Sequence, residues 1–472
     1  MVFSSSLFIL YFLPLFLLAY HFVDRRYKNY LILLASLFFY SWGAPKFIFV
    51  IVGATLADFY LVKQMHKSNQ QSSKKILLGL SVFIKLGLLA YFKYANFFVE
   101  NLNQVLQLAG FNNISWTSVA LPIGISFYTF QSITYSIDVY RKVHKPLKKA
   151  SDYLLYIMMF PQMIAGPIVR FNTIADQIIN RKETIDDKLA GFYRFSIGLA
   201  KKVLIANVMA EQADLIFNGD LSNLSMINAW LGALAYTFQI YFDFAGYSDM
   251  AIGLGKMMGF RFPENFNSPY VSKSISEFWR RWHITLGAFM RDYLYIPLGG
   301  NRVKRSRMFF NLWIVFLLSG LWHGASWNFV LWGAFHGLFL VLDRLFLLDW
   351  LKRIGKLPAT LFTFVMVVLG WVIFRIEELD RIKLFFKGML SFDFASDVNT
   401  ISAFPIIAAI AVLFSFISYF SKGEQLGEFF FNTKSYSIKN HIVLSAIAAS
   451  LLILSIASIT SSGFNPFIYF RF

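Results

Sequence analysis

The stretch "LWIVFLLSGLWHGASWNFVLWGAFHGLFLVL", residues 312–342, decides what kind of protein this is. It contains no Asp, Glu, Lys or Arg, yet it sets His323 and His336 among tryptophans and glycines. A run this apolar belongs inside a bilayer, where a titratable ring is costly and points to function. Its flanks, "NRVKRSR" (301–307) and "DRLFLLDWLKRIGK" (343–356), are basic. If both lie in the cytoplasm, the segments 310–322 and 326–342 enter and return, and residues 323–325 sit deep at the turn.

The rest of the chain agrees. Of 472 residues 57% are hydrophobic and only 15% charged, more apolar surface than one soluble core can bury. Segments 5–23, 46–62, 76–99, 226–242, 358–374, 402–420 and 441–460 are long enough, or nearly so, to cross a hydrocarbon layer of roughly 30 Å. The expected fold is an all-α polytopic membrane protein. The first apolar segment has no basic region before it and no small-residue cleavage site after it, so it reads as a retained helix. Cysteine is absent, which excludes disulfides, thiolate metal sites and a cysteine nucleophile. The net charge of +18 is spread between apolar segments rather than gathered in one basic domain, which argues for lipid head groups and against nucleic acid.

Basic clusters at 24–28, 63–75 and 141–149 alternate with "SWGAP" (41–45) and "ENLNQVLQLAGFNNISW" (100–116), which carry no Lys or Arg. The positive-inside rule then puts the N-terminus outside and predicts five crossings before residue 150. Beyond it, "PQMIAGPIV" (161–169) breaks an apolar segment with two prolines and a glycine, as a re-entrant or kinked element around an internal chamber would. Residues 272–307 are too charged for a lipid-facing span and read as an amphipathic helix followed by a turn at Gly299 and Gly300. No soluble domain is visible, so residues 1–472 form a single membrane domain with N-terminal helices (1–149), a catalytic core (150–345) and C-terminal helices (346–472).

Four of the seven histidines, His21, His66, His144 and His441, lie at segment ends or in basic loops. The other three, His283, His323 and His336, each sit beside tryptophans and glycines. Gly320 and Gly324, and again Gly333 and Gly337, are spaced for close helix approach, and the small residues after His323 leave an imidazole face open to a substrate. Such a ring can accept a hydroxyl proton. His323 and His336 are too far apart in register to ligate a metal from one helical face, and HExxH is absent, so no metal site is expected. "GYSDM" (246–250) lacks the second glycine of a nucleophile elbow. Asp243 and Asp249 are carboxylates in an apolar run, either paired with basic residues of another helix or polarising a histidine or lining a pore. Arg280 and Arg281 beside Trp282, with Arg291 and Asp292 further on, either hold a phosphate-bearing donor or anchor the helix to lipid phosphates.

The run from "FQIYFDFAGYSDMAIG" (238–253) through "FPENFNSPY" (262–270), "SEFWRRWHITL" (276–286) and "YIPLGGNR" (295–302), then "LLSGLWHGASWNFVLWGAFHG" (317–337), resembles the membrane-bound O-acyltransferases (MBOAT), nearest the branch of the membrane subunit of bacterial alginate O-acetylation. "FPQMIAGPIVRF" (160–171), "GLAKKVLIA" (198–206) and the closing "FNPFIYFRF" (464–472) fit the same branch. The resemblance implies a helical bundle with re-entrant or broken helices around an acyl-transfer tunnel. It makes His323, in "LWHG", the match for the family's catalytic histidine and His283, in "RWHI", the second motif histidine. Trp322 and His336 become tunnel-lining candidates alongside Asp243, Asp249, Trp282, Arg280, Arg281, Arg291 and Asp292.

The implied function is movement of acetyl from a cytoplasmic thioester such as acetyl-CoA, with no bound cofactor, for O-acetylation of an extracytoplasmic polysaccharide, alginate or similar. The implied setting is the bacterial cytoplasmic membrane, and the implied partner an extracytoplasmic SGNH-type acetyltransferase. Peptidoglycan O-acetylation and D-alanyl transfer to teichoic acid by related proteins are the alternatives. A transporter or channel is the rival from another class, although no inverted repeat is visible. A scaffold that only recruits an outer enzyme is a third reading.

Overall fold

A computed structural model describes residues 1–394, 400–433 and 435–466, and every regular element among them is helical. Among the described residues five helices are long and apolar enough to span a membrane: Ile48–Lys67, Gln71–Leu108, Trp327–Ile354, Lys356–Arg375 and Ile438–Ser461. A sixth span is formed if Phe404–Tyr419 and Ser421–Phe431, bent by 100°, count as one broken helix. The chain is a multi-pass membrane protein. The first apolar segment is a shorter helix, Phe8–Phe22. Residues 467–472 of the closing motif lie outside the described residues.

One segment expected to be long enough to cross the bilayer, 226–242, is enclosed by protein. It is the front half of a 32-residue helix, Met226–Met257, that is buried on nearly every side from Ala229 onwards. Its Asp243, Asp249 and Lys256 would be untenable against lipid, and burial among other helices removes that conflict. An apolar helix interior to the protein and one facing lipid look alike in composition.

The described chain forms two compact units, Met1–Thr184 with Met258–Phe262, and Ile185–Met257 with Pro263–Phe472. The boundary at Thr184 falls inside the stretch 150–345 that the sequence reading keeps together. In the first unit the proline-broken segment is a true interruption. The helix Ala150–Met158 stops, a single turn Phe160–Met163 follows, and helical structure resumes only at Phe171–Ile179. Residues 153 and 155–169 are buried, so this irregular backbone is shielded by protein, as a membrane setting demands. Gly124, at φ 76°, passes so close that an added Cβ would lie 2.5 Å from the Met163 carbonyl oxygen.

In the second unit, Met226–Met257 packs against Ile185–Ala200 through two reciprocal glycine contacts. A Cβ on Gly191 would meet the Gly253 carbonyl oxygen at 2.6 Å and the converse holds; Gly198 and Gly246 repeat the arrangement at the same distance. The helices Arg305–His323 and Trp327–Leu342 form a tight hairpin whose turn is residues 324–326. An added Cβ on Gly320 would lie 2.1 Å from the Phe329 carbonyl oxygen, and one on Gly333 2.4 Å from that of Phe316. Backbone cannot yield as a flexible side chain does. Gly333→Leu is therefore expected to cost about 3 kcal/mol by overpacking, read as a lowered melting temperature in detergent. Gly79→Leu, at an open helix surface with nothing within 4 Å, is the neutral control. Equal melting of the two variants would contradict the close approach.

Residues 272–307 do not form the one amphipathic helix that their composition suggests. Ser274 caps a short helix, Ile275–Arg281, by accepting from the Glu277 amide at 3.1 Å. That helix ends at Trp282, and a second, Ile284–Met290, begins after His283, whose backbone is left-handed at φ 45° and ψ 51°. The expected turn follows, with Gly299 at φ 107° and Gly300 at φ 54°.

Candidate active site

All three motif histidines lie in the second unit, and a continuous set of aromatic rings connects them. His323 is the last residue of its helix, where the hairpin turns. It is 8% exposed, and three rings contact its imidazole: Trp322 at a centroid distance of 4.9 Å, Trp332 at 5.1 Å and Phe374 at 5.2 Å. Phe374 reaches this position because Asn328 donates to the Ile373 and Phe374 carbonyls, at 3.3 and 3.1 Å, and so ties the end of Lys356–Arg375 to the hairpin. The glycine after His323 serves packing: a Cβ on Gly324 would fall 2.0 Å from the Phe329 ring.

His283 meets the same cluster from the other side of Trp322, whose indole lies 6.0 Å from it. Its ring is 1% exposed and takes the edge of Phe244 at 4.7 Å in a T-shaped contact. Nδ1 lies 3.0 Å from Asn265 Oδ1. The left-handed turn that aims this ring is held by the same residue, since the Ile284 amide donates to the Asn265 carbonyl at 3.0 Å.

His336 lies one helical turn beyond Trp332 on the same face, and their rings are 4.9 Å apart. Trp279 Nε1–H donates to His336 Nδ1 at 3.3 Å, and a Cβ on Gly370 would come within 3.0 Å of its Nε2. His336 is thus wedged between helices. Trp332 is the shared wall, touching His323 on one side and His336 on the other.

The other expected site residues are placed differently. Trp282 is a core residue, 3% exposed, at 4.7 Å from Trp371 and 5.0 Å from Phe266. Arg281 pairs with Glu277 at 2.9 Å, and Arg291 with Asp292 at 2.7 Å, while Arg280 is exposed. Of the two readings of the buried carboxylates, each shows an ion pair with another helical segment. Asp243 pairs with Lys202 at 2.7 Å. Asp249 takes Arg194 at 2.8 Å and Lys201 at 2.7 Å, and Arg194 extends to Glu264 at 2.6 Å. Among the described residues no three His, Asp or Glu side chains gather as a metal-ligand set. Sequence reasoning missed Asn265, Trp279, Trp332 and Phe374. The spacing of Trp332 and His336 was the available signal for one of them.

Membrane-spanning helices that fold a buried cluster of three histidines and several indoles into their interior define an integral membrane protein with a chemically capable core. The family model of the membrane-bound O-acyltransferases (MBOAT) matches residues 141–376, which include every residue of this cluster. The chain is 41% identical to the "Probable alginate O-acetylase AlgI" of Pseudomonas putida, over the whole of both chains. It is 46% identical to the protein of that name in Pseudomonas aeruginosa, over 83% of this chain and 75% of that one. It is 38% identical to the "Peptidoglycan O-acetyltransferase" of Helicobacter pylori, over 83% of this chain and 80% of that one. The chain belongs to the MBOAT family and is an O-acyltransferase.

Proposed function

We propose that this protein takes acetyl from a thioester on the cytoplasmic side, acetyl-CoA or a related donor, and passes it on for O-acetylation of an extracytoplasmic polysaccharide of the alginate type. The whole-length similarity to proteins named for alginate O-acetylation supports the polymer class. The placement of His323 supports the mechanism: it is the histidine that combines a helix end, a turn and an imidazole less completely enclosed than those of His283 and His336. As general base it takes the proton of the acceptor hydroxyl, on the polymer or on a relay protein. The oxygen attacks the thioester carbonyl, a C–O bond forms, the C–S bond breaks, and the leaving thiolate recovers the proton from the imidazolium. The apolar surroundings strengthen hydrogen bonds to the developing charge by excluding water. His283 orients substrate, and His336 supports Trp332.

The bilayer is the cytoplasmic membrane with the N-terminus outside, and an SGNH-type acetyltransferase on the far side completes transfer to polymer. The 38% identical relative named for peptidoglycan O-acetylation supports a second acceptor of the same chemistry. The test is reconstitution of the purified protein in lipid vesicles with labelled acetyl-CoA and either polymer plus an extracytoplasmic partner. Label appearing as polymer ester is the expected result. Solute flux without any transfer would overturn the reading in favour of a transporter.

A further inference from the structure

The hydrogen bonds around Asn265 fix which nitrogen of His283 carries its proton. The Thr285 backbone N–H can only donate, and it points at Asn265 Oδ1, at 3.3 Å. The Thr285 hydroxyl donates to the same atom at 2.8 Å, while Asn265 Nδ2 donates to Ser248 Oγ at 3.2 Å. The amide is therefore oriented with its carbonyl oxygen toward His283, because the reverse flip would set an NH2 group against a backbone N–H. An oxygen facing Nδ1 at 3.0 Å requires Nδ1 to be the donor. Nε2 is then a bare lone pair. It is buried and meets no polar partner among the described residues.

Leaving a buried acceptor unmatched is unfavourable, and His283 also adopts a left-handed backbone that L-residues avoid. Both costs fall on one residue, and both are maintained by Asn265, through its side-chain oxygen and its backbone carbonyl. Strain concentrated at one ring beside the His323 cluster is the pattern of a pre-organised site.

We infer that Asn265 is a positioning residue that holds His283 as its Nδ1–H tautomer, so that Nε2, covered while no substrate is bound, is kept as a neutral hydrogen-bond acceptor for the substrate. This rests on the assignment of the cluster to acyl transfer. The group received at Nε2 is a polar hydrogen, and two substrates can supply one: an amide N–H of a pantetheine-type thioester arm, or the acceptor hydroxyl. His283 takes part as a receiver of a hydrogen bond, and His323 takes the proton.

The test combines spectroscopy with kinetics in lipid bilayers. Solid-state NMR of protein labelled with ¹⁵N-histidine, with His283→Gln to assign the signal, is expected to show a protonated Nδ1 and an unprotonated Nε2. Asn265→Asp keeps the accepting oxygen and should preserve that pattern; Asn265→Ala should lose it. In acyl transfer, Asn265→Ala is expected to lower kcat/KM by about 10- to 100-fold, the size of loss seen when the group that orients a metal-ligating histidine is removed, and Asn265→Asp to restore most of it. A raised KM for the thioester identifies the donor arm as the partner of Nε2; a raised KM for the acceptor identifies the hydroxyl. A proton on Nε2 in the unsubstituted protein would overturn the inference. So would an Asn265→Asp protein that melts normally yet is as slow as Asn265→Ala. The tautomer is read without any turnover, so failure of the acyl-transfer reading would appear separately, as transfer that survives His323→Ala.

Discussion

Replacing His323 by alanine is expected to lower kcat for acetyl transfer by about 10²- to 10⁴-fold, the usual contribution of a positioned general base. KM for the thioester should change little, because in the proposed mechanism the imidazole acts on the proton of the acceptor in the transition state rather than on the bound donor. His323→Gln should be equally slow, since it fills the same space without a basic nitrogen. The three rings that contact His323 also contact one another or neighbouring core residues, as Trp332 does with Phe374 at 5.2 Å, so the wall persists when the imidazole is removed. His336→Gln provides the contrast. That ring is wedged behind Trp332, and its loss should cost less than about tenfold, spread between kcat and stability. Wild-type turnover by a folded His323→Ala protein would end the assignment, as would normal polymer acetylation in cells carrying it at wild-type levels, which is what a scaffold predicts.

The second large effect is on stability. Lys202 and Asp243 face each other at 2.7 Å with side chains only 3% and 2% exposed, and Lys202 also donates to Asn207 Oδ1 at 2.9 Å and to the Pro466 carbonyl. Removing one member of such a pair strands a charge in a poorly solvated interior, a loss of about 3–5 kcal/mol. Lys202→Met is therefore expected to reduce the folded protein recovered in detergent and to lower its melting temperature by several degrees. Lys202→Met combined with Asp243→Leu should recover most of that loss, because replacing both partners by apolar groups is often neutral. A double variant as unstable as the single one, with activity falling in parallel, would show that the carboxylate does more than balance the lysine.

How much of this could be read from residues alone varied with the distance over which the decisive interactions act. Membrane character, the proline-broken segment and the hairpin around His323 follow from local runs of sequence, and the structure has each of them. The burial of Met226–Met257 was not legible, because the hydrophobic period of an all-round apolar helix is the same whether lipid or protein surrounds it. The carboxylates stayed ambiguous for a related reason: the partners of Asp249 and Asp243 lie on a different helical segment, far back in the chain. His283 is the sharpest case. Nothing beside it announces a left-handed residue, no glycine or asparagine, and the continuous helix expected there is broken by contacts to Asn265, eighteen positions earlier. The arginines offered either as holders of a phosphate-bearing donor or as lipid anchors have carboxylates close by in the chain, Arg281 with Glu277 one turn away and Arg291 with Asp292 as its neighbour.

The rings of Trp322, Trp332 and Phe374 around His323 have a consequence for selectivity. The enzyme works in a solvent made of fatty acyl chains, present in vast excess over any soluble thioester. In the proposed mechanism a nucleophile activated at His323 attacks a carbonyl within a few ångströms of that ring, so whatever hangs from the carbonyl must fit against the same two indoles and the Phe374 ring. On that mechanism the three rings disfavour acyl groups much longer than acetyl. Shortening one wall, as in Phe374→Leu, is expected to let propionyl and butyryl donors compete with acetyl, and a donor-length profile identical to wild type would count against that view.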